Sequence, residues 1–361
     1  DDLVSTKNLS GQPGARIILN DPAVQAAVFE MPRKGLIVFG HPCDHYDVAA
    51  LLNIQDDHIG VDGIDTVEQM ADLKAEVLER ARHAVVVNAD DPLCMAMRSR
   101  AGTDRHILVT SQPTSPAVAE HRCQGGEAVF TDQRQGAPWI VLSAGDAEEP
   151  LIPVDAIPAT MNGLLRFNVS NAMFAAVLAW AQGIDIGTIR RALGSFHNSV
   201  EQNPGRYNFI AGLPFTLLLD FAHNPDGVRE VCAVAGEIPV TGRRILCSQN
   251  LGNRHAAHVA AVASAIAKSF DEFVVGCDPQ YLLECPEYSG PDPVAAMLSA
   301  TRQHLLDHGV DSEAITSIGD PAAVIPAALA RARVGDLVVV LAEPHDMLPA
   351  AEKFRRETGP I

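Results

Sequence analysis

Apolar runs of four to six residues alternate along this chain with longer stretches whose apolar positions recur at helical spacing, the pattern of an α/β protein. Ala26-Ala27-Val28-Phe29 reads as a buried strand ending at Glu30, Asp47 to Ile54 as a second strand, and Ala84 to Val87 as a third. Between the last two, Val67, Met70, Leu73, Val77 and Leu78 share one helical face within Thr66 to Arg82, with Asp65 as the predicted N-cap. Strand, helix, strand is a βαβ unit and predicts a parallel sheet. From Ser111 the composition turns to Gly, Gln, Pro and Thr, with short runs at Glu127–Thr131 and Pro138–Leu142. This predicts a small β-rich insert of antiparallel hairpins over about 111–155. Helices follow from about Val169 to Gln182, closed by Gly183, and from about Ile186 to Leu193. Asn203-Pro204-Gly205 marks the predicted domain boundary. Beyond it strands are expected at Phe215–Leu219, Arg244–Cys247, Glu272–Val275 and Asp336–Leu341, with helices after Pro225 and over about Ala256–Lys268. The predicted architecture is two α/β domains, 1–200 and 204–361, the second Rossmann-like.

A length of 361 residues suits two domains. The balance of 27 Lys+Arg against 45 Asp+Glu gives a formal charge of −18, which repels phosphate backbones and anionic lipid and argues against nucleic acid or a membrane as partner. No apolar run approaches the roughly 20 residues of a membrane span. Seven scattered cysteines without a C-x-x-C pair suggest neither a disulfide framework nor a zinc ribbon, and predict reduced thiols in the cytoplasm. The chain opens on Asp1-Asp2, which reads as a fragment or a processed piece.

Four polar segments stand where α/β proteins place ligands, at strand ends and helix starts: Glu30, Asn53 to His58, Asn88-Ala89-Asp90-Asp91-Pro92, and Asp220-Phe221-Ala222-His223-Asn224-Pro225. Each alone would suit an ordinary polar loop. Together with Lys74, Asn168-x-x-Asn171-Ala172 and Pro204-Gly205-Arg206, they occur in the order seen in Mur-type amide ligases. Over about residues 9 to 275, plus the strand after Gly335-Asp336, the chain most resembles the Mur-like C-terminal half of cyanophycin synthetases.

The resemblance implies a Mur ligase-like central nucleotide-binding domain with a small β insert, followed by a C-terminal ligase domain. It also implies ATP-dependent amide-bond formation through an acyl-phosphate, with ATP and Mg²⁺ as cofactors. The partners would be a small-molecule or peptide carboxylate and an amino-acid amine; a homo-oligomer is compatible with this. Glu30 and His58 would hold Mg²⁺, and Lys74 matches the position of a carbamylated lysine in many of these ligases. Asn88, Asp91, Asn168 and Asn171 would contribute to nucleotide binding, although Asn168 also suits a helix cap. Arg206 would reach the phosphates and Asp220 the ribose hydroxyls, with His223 and Asn224 in the same loop.

Two departures stand out. No G-x-x-G-K-[S/T] loop occurs in the sequence, which predicts very poor ATP turnover by this chain alone and leaves a non-catalytic binding or regulatory module as a rival. The segments Leu251–His255 and Cys277–Cys285 differ from the cyanophycin synthetase pattern and leave the incoming amine open; a ligase of the peptidoglycan or folate type is a third reading, which an acceptor domain would decide. His41, Cys43, Asp44, His45 and Asp47 crowd together but read as a loop rather than a metal centre.

Overall fold

The computed structural model describes residues 11–55, 59–60, 62–112, 114–249, 256–284, 286–288 and 290–358. The chain divides into two compact units, Asp1–Phe196 and His197–Ile361, each built on its own six-stranded sheet. The Asn203-Pro204-Gly205 turn belongs to the second unit.

In the first unit, α1 (Gln12–Leu19) and α2 (Arg33–Phe39) precede β1 (Tyr46–Leu51). Then come α3 (Val67–Glu79), β2 (Ala81–Asn88), α4 (Pro92–Met97), β3 (His106–Thr110), α5 (Pro116–Cys123) and β4 (Glu127–Arg134). β5 (Ala137–Ala144) and β6 (Ala147–Pro153) return as hairpins, and α6 (Arg166–Ala181) and α7 (Ile186–Ser195) close the unit. The strands lie in sequence order, β1 to β4 parallel and β5 and β6 antiparallel. Continuous apolar runs follow from a sheet covered on both faces. In β2, Ala84 and Val86 join a core with Phe174, Val177 and Ile189 from α6 and α7. Val85 and Val87 join the opposite core with Met70 and Leu78 of α3 and Val118 of α5. The two-residue alternation repeats at Ile107 and Leu108, and at Ile140 and Val141.

The second unit runs β7 (Asn208–Ile210), β8 (Thr216–Asp220), α8 (Pro225–Glu237), β9 (Arg244–Ser248), α9 (Ala256–Ile266), β10 (Glu272–Val275), α10 (Pro293–Asp307), β11 (Ile315–Ser317), α11 (Pro321–Arg331), β12 (Leu337–Leu341) and α12 (Pro344–Thr358). Its strand order is β11-β10-β9-β12-β8-β7, parallel throughout except for β7 against β8. Three successive crossovers step outward through α8, α9 and α10, and α11 steps back. Right-handed connection therefore places α11 on the opposite face from the first three helices. There α11 and α12 share a core with Leu217, Leu219, Ile245, Cys247, Val338 and Val340.

Several expectations change. Residues 26–29 form no strand: Pro22 and Pro32 bracket them, Asp21 turns the chain by accepting from the Ala23 amide at 2.9 Å, and Val28 is 90% exposed. An apolar run becomes a strand only where a neighbour takes its backbone groups. The cap of α3 is Thr66, not Asp65. Its hydroxyl accepts from the Gln69 amide at 3.2 Å, and the Gln69 side chain accepts in return from the Thr66 amide at 3.1 Å, a reciprocal capping box. The hairpins at 127–153 extend the parallel sheet itself, and α5 fills the stretch before them. α6 begins at Arg166, three residues before Val169, after a turn in which Met161, Asn162 and Gly163 all take positive φ of 51°, 59° and 84°. Among the described residues no helix is long and apolar enough to cross a membrane, and Cys43, Cys94, Cys123, Cys232, Cys247 and Cys277 are free thiols.

The capping box sets a test. Thr66→Ala is expected to cost about 1 kcal/mol in urea unfolding, whereas Asp65→Ala should stay within about 0.5 kcal/mol of wild type.

Candidate functional site

At the carboxyl end of the first sheet, Asn88-Ala89-Asp90-Asp91-Pro92 ties together the ends of three strands. Asn88 closes β2; its side-chain amide donates to the Leu52 carbonyl at 2.7 Å, and its oxygen accepts from the Asp90 amide at 2.9 Å. Asp90 reaches the end of β3, accepting from the Ser111 amide at 2.7 Å, the Ser111 hydroxyl at 2.6 Å and the Thr110 hydroxyl. Asp91 caps α4 with one oxygen, which accepts from the Leu93 and Cys94 amides at 2.9 and 3.0 Å. Its second oxygen accepts from the Ile54 amide at 2.7 Å. Pro92 follows at the first helical position, where a missing N–H costs nothing. Lys74, on α3, donates to the Asn53 carbonyl at 3.1 Å. The side chains of Lys74, Asn88 and Asp91 thus converge on three consecutive residues beyond β1.

Asp56, Asp57 and His58, which follow directly, lie outside the described residues, so the predicted ligand His58 has no position here. Glu30 is exposed and has no hydrogen-bond or ion-pair partner among the described residues. Asn168 stands in the first turn of α6 without capping it: its amide donates to the Ala159 carbonyl at 2.7 Å, and its oxygen accepts from the Asn171 amide at 3.2 Å. The two asparagines are therefore brought together, one turn apart on the same helical face.

In the second unit the DFAHNP loop leaves β8 at Asp220, which is 4% exposed. Its carboxylate accepts from the Ala222 amide at 2.8 Å and from the Tyr207 amide at 3.1 Å. Burial outweighs those bonds and the nearby Arg206 charge, and raises the carboxyl from 3.8 to about 6. The Arg206 guanidinium lies over the Phe221 ring, 5.1 Å from its centroid, and the Phe221 and His223 rings are 4.8 Å apart. His223 Nδ1 is 3.0 Å from the Phe221 carbonyl, and Asn224 caps α8 by accepting from the Gly227 amide at 2.8 Å. Arg206 and His223 are brought together around the Phe221 ring beside Asp220; the oxygen of Asn224 is committed to the helix.

Gly205 has φ +74°, and a Cβ there would meet Pro344 at 2.6 Å and Met347 at 2.8 Å, so both conformation and space require glycine. The sequence reading missed what holds this turn. Asn208, fully buried, accepts from the Gly205 amide at 2.6 Å and donates to the carbonyls of Asn198, Asn203 and Arg206 at 3.1, 3.0 and 3.2 Å. An asparagine three residues after a Pro-Gly pair was the available signal, since its amide readily bonds local turn backbone. Asp90 was likewise legible only as part of its motif.

The crowded run near residue 45 disperses. His41 bonds the Tyr46 hydroxyl at 2.8 Å and Glu76 at 3.2 Å, Cys43 donates to the His45 carbonyl, and Asp47 faces His83 at 3.7 Å. Among the described residues no three His, Cys, Asp or Glu side chains converge as a metal site. Residues Leu251–His255 and Cys285 lie outside the described residues; within 277–284, Cys277 is buried and Pro279–Glu284 is a 3₁₀ helix.

Two family models match in succession: Mur ligase middle domain over residues 15–179, and Mur ligase, glutamate ligase domain, over residues 205–343. Cyanophycin synthetase of Synechocystis sp. is 32% identical over 271 residues, covering 74% of this chain and 30% of that protein. UDP-N-acetylmuramoyl-L-alanyl-D-glutamate–2,6-diaminopimelate ligase of Bacillus velezensis is 25% identical over 340 residues, 91% of this chain and 61% of that one. The chain thus spans under a third of the cyanophycin synthetase it matches. Among solved structures, MurF from Acinetobacter baumannii aligns with a TM-score of 0.56 at 16% identity over 92% of this chain and 64% of its own. MurF ligase from Thermotoga maritima in complex with ADP gives 0.53 at 17% identity, over 87% and 62%. At such identities the structures speak for the fold.

The raised Asp220 carboxyl has a pH signature. Between about pH 4 and pH 6 the unfolded chain loses this proton before the folded one, so its contribution to stability is full below 3.8 and falls as pH rises through about 6. Urea unfolding of wild type and Asp220→Asn should diverge across that window in the variant's favour, by on the order of 3 kcal/mol.

Proposed function

The chain belongs to the Mur ligase family, its middle and C-terminal domains in tandem, and from that premise we propose that it is the core of an ATP- and Mg²⁺-dependent ligase joining a carboxylate to an amine. In that reaction a carboxylate oxygen of the acceptor attacks the γ-phosphorus of ATP, the bond to the β-phosphate oxygen breaks, and ADP leaves. The amine nitrogen then attacks the acyl carbon, the carbon–oxygen bond to phosphate breaks, and the amine gives up a proton as the amide forms. Similarity to cyanophycin synthetases favours a side-chain carboxylate of a peptide as acceptor and an amino acid as amine.

The observation that carries this reading is the carboxyl end of the first sheet. There Lys74, Asn88 and Asp91 pin the segment leading into Asp56-Asp57-His58. Carboxylate oxygens suit a hard divalent ion, and the exposed Glu30 would hold Mg²⁺ with His58 as its second ligand. When bound, the ion supplies positive charge beside the transferring phosphoryl group.

Arg206 is exposed, and its planar fork can leave Phe221 to pair with phosphate oxygens. Asp220 retains lone pairs for ribose hydroxyls beyond its two backbone bonds. Asn168 and Asn171 would turn their paired amides to the adenine. Asn88 and Asp91 serve this site as supports, since their polar atoms are engaged with backbone. His223 would orient the nucleotide or the amine. A second reading, a nucleotide-binding module without turnover, is favoured by the lack of a G-x-x-G-K-[S/T] loop in these 361 residues.

Calorimetric titration with a non-hydrolysable ATP analogue and Mg²⁺ tests this. The Glu30→Ala, His58→Ala double variant is expected to lose at least about tenfold in Mg²⁺-dependent affinity, or 1.4 kcal/mol. Wild type that binds no nucleotide would sink both readings; binding without any turnover on adding acceptor and amine would favour the second.

A further inference from the structure

We propose that Asn208 is a positioning residue: by locking the turn that precedes β7, it holds the Arg206 guanidinium outward over Phe221, where a nucleotide phosphate can meet it. The antiparallel register of β7 with β8 pairs Asn208 with Leu219, Phe209 with Leu218 and Ile210 with Leu217. Continued by two residues, that register sets Tyr207 opposite Asp220 and Arg206 opposite Phe221. The ladder itself ends at Asn208. The Asp220 carbonyl accepts from the Ala342 amide at 3.3 Å, just beyond β12, and the Tyr207 amide turns instead to the Asp220 carboxylate at 3.1 Å. Tyr207 has φ +50°, in the left-handed region that a bulky side chain seldom enters.

Along a regular strand, residues two apart face the same side, so Arg206 would share the buried face of Asn208. The left-handed residue between them breaks that alternation: Tyr207 and Asn208 are buried in succession, and Arg206 is exposed. Its guanidinium then lies 5.1 Å from the centroid of the Phe221 ring, the cross-strand neighbour that the register assigns to it. A left-handed tyrosine persists only where its surroundings over-determine it. Asn208 does this through its side chain, which accepts from the Gly205 amide and donates to the carbonyls of Asn198, Asn203 and Arg206. The Arg206 amide donates to the same Asn203 carbonyl at 3.3 Å. Both backbone groups of Arg206 are thus tied into one buried knot. Without Asn208 those carbonyls lose a donor, Tyr207 can relax towards the extended region, and Arg206 turns with it. The inference rests on the reading of Arg206 as a phosphate-binding group and deepens it: that contact depends on a side chain buried beneath the turn.

The test uses the full chain. Calorimetry measures affinity for a non-hydrolysable ATP analogue with Mg²⁺ and, separately, for adenosine. Nuclear magnetic resonance follows the Arg206 Nε–H signal, assigned by its loss in Arg206→Lys and displaced in wild type by the ring current of Phe221. Asn208→Ala is expected to weaken the ATP analogue about tenfold, to leave adenosine within about twofold, and to move the Arg206 signal towards its position in Phe221→Leu. In an Arg206→Ala background the same substitution should cost less than about twofold, because it acts through the missing guanidinium. Asn208→Ser, whose hydroxyl keeps one donor, should give a milder form of the same pattern and serves if the alanine variant does not fold. Arg302→Met, which removes bonds to Ile315 and Ser312 elsewhere in this unit, should leave both affinities within about twofold of wild type. Equal losses for ATP analogue and adenosine, or equal losses with and without Arg206, would mean a merely structural role and overturn the proposal. Wild type that binds neither ligand would remove the nucleotide reading, and the resonance then decides. An Arg206 signal unmoved in both Asn208 variants would overturn the positioning role as well, whereas a displaced one would uphold it.

Discussion

A parallel strand that outruns its neighbour leaves backbone groups that something must satisfy, and both units of this chain are organised around that constraint at the carboxyl ends of their sheets. In the first unit one carboxylate does two tasks. Asp91 caps α4 and binds the Ile54 amide, so the start of the helix and the end of β1 are fixed by the same side chain. Asn88 and Asp90, on either side of the same turn, reach the ends of β1 and β3. The polar motif is thus a brace across three strands, and any ligand site at this edge inherits its geometry.

The second unit meets the same constraint differently. Asp220, at the end of β8, accepts from the Tyr207 and Ala222 amides, and so ties the approach to β7 to the loop that leads into α8. Asn208 closes the Pro204-Gly205-Arg206 turn from within the core, and Gly205 lets that turn pass close to Pro344. Burial gives the Asp220 carboxyl a raised proton affinity. The same arrangement leaves Arg206 exposed, its guanidinium over the Phe221 ring.

Much of this was legible in order along the chain. The strands at 84–87, 244–247 and 272–275 and the helix after Thr66 declare themselves by periodicity, because a sheet covered on both faces demands unbroken apolar runs. The Mur ligase motifs could be recognised as a set, and those at 88–92, 168–171 and 220–225 fall at strand ends and helix starts, whereas Glu30 follows a stretch that forms no strand. What could not be read was the use each polar side chain makes of its neighbours. Asn88, Asp91 and Asn224 look like ligands in sequence and are engaged with backbone in the fold. Asn208, unremarked in sequence, makes four bonds from a fully buried position.

The apolar segment at 26–29 marks where local pattern stops being sufficient. Its composition suits a strand, yet strand formation needs a partner edge, and partners are supplied by distant residues; here Val28 stays 90% exposed. Thr66 displaced Asp65 as a cap because the reciprocal bond with Gln69 depends on a three-residue offset, a local rule that sequence does carry. The sequence by itself therefore determined the α/β class, the order of elements, the family and the residue types at the strand ends, since these follow from periodicity and local chemistry. Only the tertiary structure decided which backbone groups those side chains would hold, because hydrogen-bond partners 20 to 40 residues apart are chosen by the packing of the sheet and not by the chain near them.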